Sequence, residues 1–138
     1  MTTLALGRTL TRDRSPAEPE YVSDEGSAVN VFDRKGPHVA WPDGGFHLEA
    51  MDSHGALICS APDLLKFARV YNVDGTRHVP GSGPGAHTGA LSGTFTLLDW
   101  RGRDVQLAVL FNQRGSDADQ AAIMKELGKV ADGITDWP

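Results

Sequence analysis

His87-Thr88-Gly89 sets a hydrogen-bonding or cationic ring beside a hydroxyl, followed by a residue with no side chain. An imidazole next to a hydroxyl suits a ligand carboxylate, which accepts from both. The plainer account of the same residues is a junction between a loop and a strand. Asp52-Ser53-His54 holds the residue types of a nucleophilic triad. Neighbours in sequence, however, do not converge as Ser–His–Asp geometry requires. A local hydrogen bond explains His54 better, in a turn that Gly55 allows to bend. The five histidines, His38, His47, His54, His78 and His87, include no His-x-His or His-x-x-x-His pair, and His47 with Glu49 is the nearest approach to metal spacing. With one cysteine there is no structural zinc set, so neither a metal nor a cofactor is expected.

Other candidates have structural explanations. Gly81-Ser82-Gly83-Pro84-Gly85 resembles a phosphate cradle only in composition. No strand precedes it, no helix follows, and Pro84 removes an N–H donor. Cys59 ends the apolar run Ala56-Leu57-Ile58, where a buried inert thiol is expected. Asp52, Asp63, Asp117 and Asp119 are accounted for by turns and caps. Trp41, Trp100 and Trp137 read as core or rim anchors.

The elements that must position these residues lie mostly in the second half of the chain. Residues 3–10 are compatible with a short strand. From Thr11 to Gly45 the chain is dominated by Pro, Gly, Asp, Glu and Ser and has no sustained period, so a long irregular segment is expected, anchored by Phe32, Trp41 and Phe46. Gly55–Cys59 suits a short buried strand. Ser60-Ala61-Pro62-Asp63 starts a helix over about 61–72, with Leu64, Phe67, Ala68 and Tyr71 on one face. Residues 75–86 read as a loop. Residues 94–100 and 105–111 alternate as two strands across the turn Arg101-Gly102-Arg103-Asp104, a hairpin over about 93–111. Ser116 then caps a helix over about 117–131, whose stripe is Ile123, Leu127, Val130 and Ile134, flanked by Met124 and Ala131.

Bulk properties narrow the possibilities. The 138 residues are one domain's worth of chain, read as a single module over 1–138. Sixteen glycines and eight prolines imply many turns and a small core, which a partner chain could help to bury. A formal net charge of −5 provides no basic footprint for nucleic acid. No polybasic run suggests a membrane surface, and no segment approaches transmembrane length. The N-terminal residues do not form a signal peptide. The expectation is a soluble, untargeted chain, cytoplasmic if Met1 is the natural start.

Three stretches resemble the C-terminal region of the class C β-lactamase, penicillin-binding-protein-like and esterase-like hydrolase family. Residues Glu49 to Ala68, with Gly55 and Ser60-Ala61-Pro62-Asp63-Leu64, are similar to its glycine turn and Ser-Ala-x-Asp-Leu helix. His87-Thr88-Gly89-Ala90-Leu91-Ser92-Gly93-Thr94 resembles its third active-site motif, a Lys/His-Thr/Ser-Gly strand edging the catalytic cleft. Val105 to Arg114 resembles the strand that follows, and Gly7-Arg8-Thr9-Leu10 is similar to an upstream segment of some members. The likeness is discontinuous but spans most of residues 4–134.

In that family a serine attacks an acyl carbon while a lysine and a tyrosine manage its proton. The resemblance therefore implies substrate binding at His87, Thr88 and Gly89, with Gly89 leaving the strand edge open for a ligand to pair with the backbone. The chain departs from the family where chemistry is concerned. None of its serines stands in Ser-x-x-Lys, and neither Tyr21 nor Tyr71 stands in Tyr-x-Asn. No catalytic residue is assigned. The family's nucleophile would lie before residue 1, and the short link 72–86 suggests a trimmed derivative or a fragment.

The expected fold is α+β, a partial β-lactamase/transpeptidase-like fold. It comprises a small antiparallel sheet on the 93–111 hairpin, joined by residues 3–10, with both helices packed on it. Three functions fit. One is a hydrolase-related module, catalytically incomplete alone, that binds a small acyl or peptide-like ligand. Another is a non-enzymatic structural or interaction module whose sheet edge pairs with a copy of itself or another chain. The third is one half of a split serine hydrolase, with a partner chain supplying the catalytic half.

Overall fold

The computed structural model describes residues 4–52, 54–72, 74–81, 85–101 and 105–136. The fold class is α+β: small antiparallel sheets with two helices. The largest sheet has three antiparallel strands in the order β5 (Gly85–Leu91), β6 (Thr94–Trp100) and β7 (Gln106–Phe111). Alternating Thr, Phe, Val and Trp side chains suit a pleated, half-buried surface, and β6–β7 forms the expected hairpin. Its register runs from Phe95↔Phe111 to Trp100↔Gln106. The Arg101 N–H donates to the Val105 carbonyl at 2.8 Å. Gly102, Arg103 and Asp104 of the expected turn lie outside the described residues.

Where a loop was expected over 75–86, the chain is already extended at Gly85, and a third strand runs to Leu91. It pairs from Gly85↔Trp100 to Leu91↔Thr94, leaving only Ser92 and Gly93 between partners. Gly93 has φ +87°, and a Cβ there would lie 2.6 Å from Pro42 Cγ. A glycine is required on both counts.

Strand alternation divides the sheet into two faces. Thr94, Thr96, Leu98 and Trp100 share one face, with His87, Gly89 and Leu91 beside them in register. Phe95, Leu97 and Asp99 share the other, with Thr88 and Ala90. Phe95 and Leu97 are 1% and 2% exposed, and Phe95 stacks on Phe111 with ring centroids 6.0 Å apart.

α1 (Ala61–Ala68) packs on the Leu98–Trp100 end of the first face, where Ala68, Leu98 and Trp100 form a buried cluster with Leu64 and Ala108 against it. Ser60 caps it by accepting from the Asp63 N–H, as expected. The helix stops at Ala68, short of residue 72. Ala68's carbonyl accepts from Trp100 Nε1 at 3.0 Å and Gln106 Nε2 at 3.2 Å, while the Val70 and Tyr71 N–H groups turn back to Phe67. The sheet's side chains thereby take over one of the carbonyls that a helix end leaves without a partner.

α2 (Asp117–Gly133) begins with a full capping box between Ser116 and Asp119. It is fastened on the Asp99 side of the sheet. Arg101 pairs with Asp99 at 2.7 Å and with Asp132 of α2 at 2.6 Å. The expected stripe is rotated. Gly128 and Ala131 are its buried residues, Ile123, Met124, Leu127 and Ile134 are half-buried, and Val130 is 63% exposed. Close approach to Arg101 at Gly128 sets the contact line, which an apolar count along the helix misses.

The N-terminal segment does not join the central sheet as expected. β1 (Ala5–Leu6) pairs antiparallel with β4 (Leu57–Ile58) in a separate two-stranded sheet. Thr3, at the start of the expected strand, lies outside the described residues. Residues 11–45 are largely irregular, broken by single 3-10 turns and by the pair β2 (Ser27–Ala28) and β3 (Val39–Ala40). Trp41 and Phe46 anchor them, with ring centroids 5.2 Å apart. Phe32 does not, being 53% exposed and in edge contact with His47. The 55–59 strand is only half as buried as expected: Ala56 is buried, while Leu57 points outward. Trp100 is a core residue, and Trp137 lies outside the described residues. No helix among the described residues is long and apolar enough to cross a membrane.

Candidate functional site

α1 covers only one end of its sheet face. Over the Thr94–Thr96 end the face stays open, and a cleft of about 550 Å³ lies there. Its floor is His87, Gly89, Leu91, Thr94 and Thr96. Its walls come from four stretches remote in sequence: Glu18 and Tyr21; Pro42, Phe46 and Leu48; Asp52 with residues 54–58; and Ser92 at the β5–β6 turn. Mostly apolar walls with a few polar groups are the usual constitution of a small-molecule pocket.

The sheet register decides how the His87-Thr88-Gly89 triplet is displayed. His87 and Gly89 line the cleft. Thr88 pairs with Leu97 and so lies on the opposite face, away from the cleft. The structure thus does not bring the imidazole and the hydroxyl to one ligand carboxylate. Gly89 has a second role: a Cβ there would come 2.9 Å from Thr96 Oγ1. Beyond β5 no further strand pairs among the described residues, so its outer backbone edge is open.

His54 and Asp52 also line the cleft, although their sequence setting suggests only a turn. That turn exists: the His54 N–H donates to the Met51 carbonyl at 3.0 Å, and Gly55 follows with φ +92°. Ser53 lies outside the described residues. Ser92, buried at the cleft's edge, shares a 2.5 Å hydrogen bond with Ser23 Oγ and not with a base. Such a hydroxyl is not activated as a nucleophile.

Tyr21 and Glu18 form the polar wall that sequence inspection misses. Tyr21 OH donates to Glu18 Oε1 at 3.0 Å. Burial, then the Glu18 charge and that hydrogen bond, push the Tyr21 phenol up to about 12, while Arg14 pulls the other way. Arg14 lies with Cζ 5.2 Å from the Tyr21 ring centroid, pairs with Asp43 at 3.0 Å, and donates to the Pro42 carbonyl. Thr11 Oγ1 donates to the same Asp43 oxygen at 2.9 Å. These contacts staple residues 11–21 to 42–43 and hold two sides of the cleft together.

The remaining candidates stay outside it. Cys59 is half-buried, and burial followed by the nearby Asp63 charge pushes its thiol up, which favours the unreactive form. His78 hydrogen-bonds Asn72, and His38 contacts Ser27. Among the described residues no three His, Cys, Asp or Glu side chains are grouped to hold a metal ion. In the cradle-like 81–85 segment, Gly85 is the start of β5, and Ser82, Gly83 and Pro84 lie outside the described residues.

No protein family, curated protein or solved structure matches the chain.

Proposed function

We propose that this chain is a module related to the β-lactamase and penicillin-binding-protein-like hydrolases that binds a small acyl or peptide-like ligand and does not hydrolyse it unaided. A partial β-lactamase/transpeptidase-like fold is part of the same proposal. One observation carries it: the cleft lies along an open edge strand, with His87 and Gly89 in its floor. An extended ligand can pair with the β5 backbone while its body enters the apolar part of the cleft. His87 supplies a ring nitrogen to a ligand amide or carbonyl. Thr88 contributes through its backbone, since its side chain lies on the other face. Hydrolysis would need an activated nucleophile. The chain has no Ser-x-x-Lys, and the Ser92 hydroxyl is engaged by Ser23.

The test is an amide-shift titration of ¹⁵N-labelled chain with N-acetylated dipeptides. The expected shifts cluster at residues 85–96 and 54–58 and vanish in Gly89→Val, which fills the floor. Nitrocefin and p-nitrophenyl acetate should be hydrolysed no faster than in buffer. Unmoved amides in the wild type would sink the ligand-binding proposal, and turnover that is lost in His87→Ala would show an active enzyme.

A second function is favoured by the composition of the edge itself. Gly85–Leu91 carries no Lys, Arg, Asp, Glu or Pro, the residues that usually guard an exposed edge. Pairing of β5 with a second copy would appear as a mass that rises with concentration in sedimentation equilibrium.

A further inference from the structure

The sign of charge in the cleft points to a ligand class opposite to the one its histidine motif suggests. Two of the lining side chains, Glu18 and Asp52, are carboxylates, and no lysine or arginine lines the cleft among the described residues. Among the described residues neither carboxylate forms an ion pair. Arg14, the cation behind the Tyr21 wall, is only 7% exposed and is already paired with Asp43. Thr88, which would help hold an anion, lies on the other face of the sheet. The Glu18 charge reaches the cleft wall, where it adds to burial in raising the Tyr21 phenol.

We infer that the cleft selects a ligand bearing a protonated amine beside an apolar acyl or peptide-like body, and disfavours one bearing a carboxylate. The inference rests on the proposed ligand-binding function and adds the ligand's charge to it. Phe46, Leu48, Ile58 and Leu91 receive the body. The ammonium group lies toward Glu18 and Asp52, where low-dielectric walls strengthen its attraction and the repulsion of an anion.

Three probes with one N-acetyl-leucyl body separate the possibilities: the 2-aminoethylamide (cation), the simple amide (neutral) and the free acid (anion). Each is titrated into ¹⁵N-labelled chain at pH 7.5, following the amides of residues 85–96 and 54–58. The cation should bind on the order of tenfold more tightly than the anion, with the neutral amide between them. That gap should narrow when salt rises from about 50 to about 500 mM, because exposed charges are screened. It should also narrow in Glu18→Gln and in the exposed-site variant Asp52→Asn, either of which serves if the other fails to fold. Equal or tighter binding of the free acid at the same amides overturns the charge inference and leaves the cleft as a binding site. So does a cation preference that neither variant reduces. If none of the three probes moves these amides, the ligand-binding function falls, and the charge inference with it.

Discussion

Replacing Trp100 by Phe isolates the contact that ends α1 and seats it on the sheet. Trp100 is 4% exposed, and its Nε1 donates to the Ala68 carbonyl at 3.0 Å from a fully buried neighbourhood. Losing this hydrogen bond costs about 1 kcal/mol. Shrinking the ring costs about 1 kcal/mol more in burial and cavity. The sum, about 2 kcal/mol, assumes that Ala68's carbonyl keeps a donor. It does, because Gln106 Nε2 reaches the same oxygen at 3.2 Å. Gln106→Met removes that second donor while keeping the side-chain length, at about 0.5–1 kcal/mol.

The double variant is the decisive one. With both donors gone, a buried carbonyl is left without a partner, at roughly 1–3 kcal/mol. The double loss should therefore exceed the sum of the two single losses by about 1–2 kcal/mol. Urea unfolding followed by far-ultraviolet circular dichroism gives all three values on one scale and does not depend on the removed indole. Additivity within about 0.5 kcal/mol would refute the reasoning. Ala68's carbonyl would then have another donor, and the early stop of α1 would need a different cause.

Two further predictions concern the cleft. In a Tyr71→Phe background, an absorbance titration should show Tyr21 ionising near pH 12, and Glu18→Gln should move the midpoint down toward the ordinary value of 10.0. A phenol with a raised folded pKa contributes stability that is complete below about pH 10 and is lost as pH climbs from 10 to 12, where only the folded chain keeps the proton. The urea midpoint should therefore fall over that window more steeply in the wild type than in Tyr21→Phe. Gly93→Ala should cost about 3 kcal/mol, because it adds strain at φ +87° to a Cβ 2.6 Å from Pro42 Cγ and 3.1 Å from Tyr21 Cβ. Gly26→Ala, at φ +77° with open space around it, should cost only about 1 kcal/mol. Equal urea-unfolding losses for the two would show that the Pro42 contact yields freely.

What the sequence discloses about this fold is what its local chemistry decides. Ser116 and Asp119 lie three residues apart and close a capping box whatever surrounds them, so α2 is visible in advance at its start. Gln106 to Phe111 alternates because both ends of the pattern lie within one strand. β5 gives no such signal. Gly85-Ala86-His87-Thr88-Gly89-Ala90-Leu91 has low strand propensity, and it is extended because β6 offers a seven-residue ladder. The face shown by Thr88 follows from the same register, since a slip of one residue would exchange Thr88 with His87 or Gly89 in the cleft floor. Glu18, Tyr21, Asp52 and His54 line one cleft although they come from distant segments, which no spacing rule detects.

The least regular part of the chain is therefore the part that shapes the site. Residues 11–45 contain too few apolar side chains to be fixed by burial alone, and they are fixed instead by fastenings between named groups. Arg14 binds Asp43, the Pro42 carbonyl and the Tyr21 ring at once, and Ser23 meets the buried Ser92 at the β5–β6 turn. Asn112 Nδ2 donates to the Glu20 carbonyl at 2.8 Å, and the Val22 N–H donates to the Asn112 carbonyl at 2.8 Å, so the same segment is also stitched to the end of β7. Fastenings of this kind are specific in direction but contribute little each, so the half-buried Glu18 and Tyr21 are held by several weak contacts at once. The sheet supplies the floor of the cleft, and the irregular segment supplies Glu18 and Tyr21 of its polar wall.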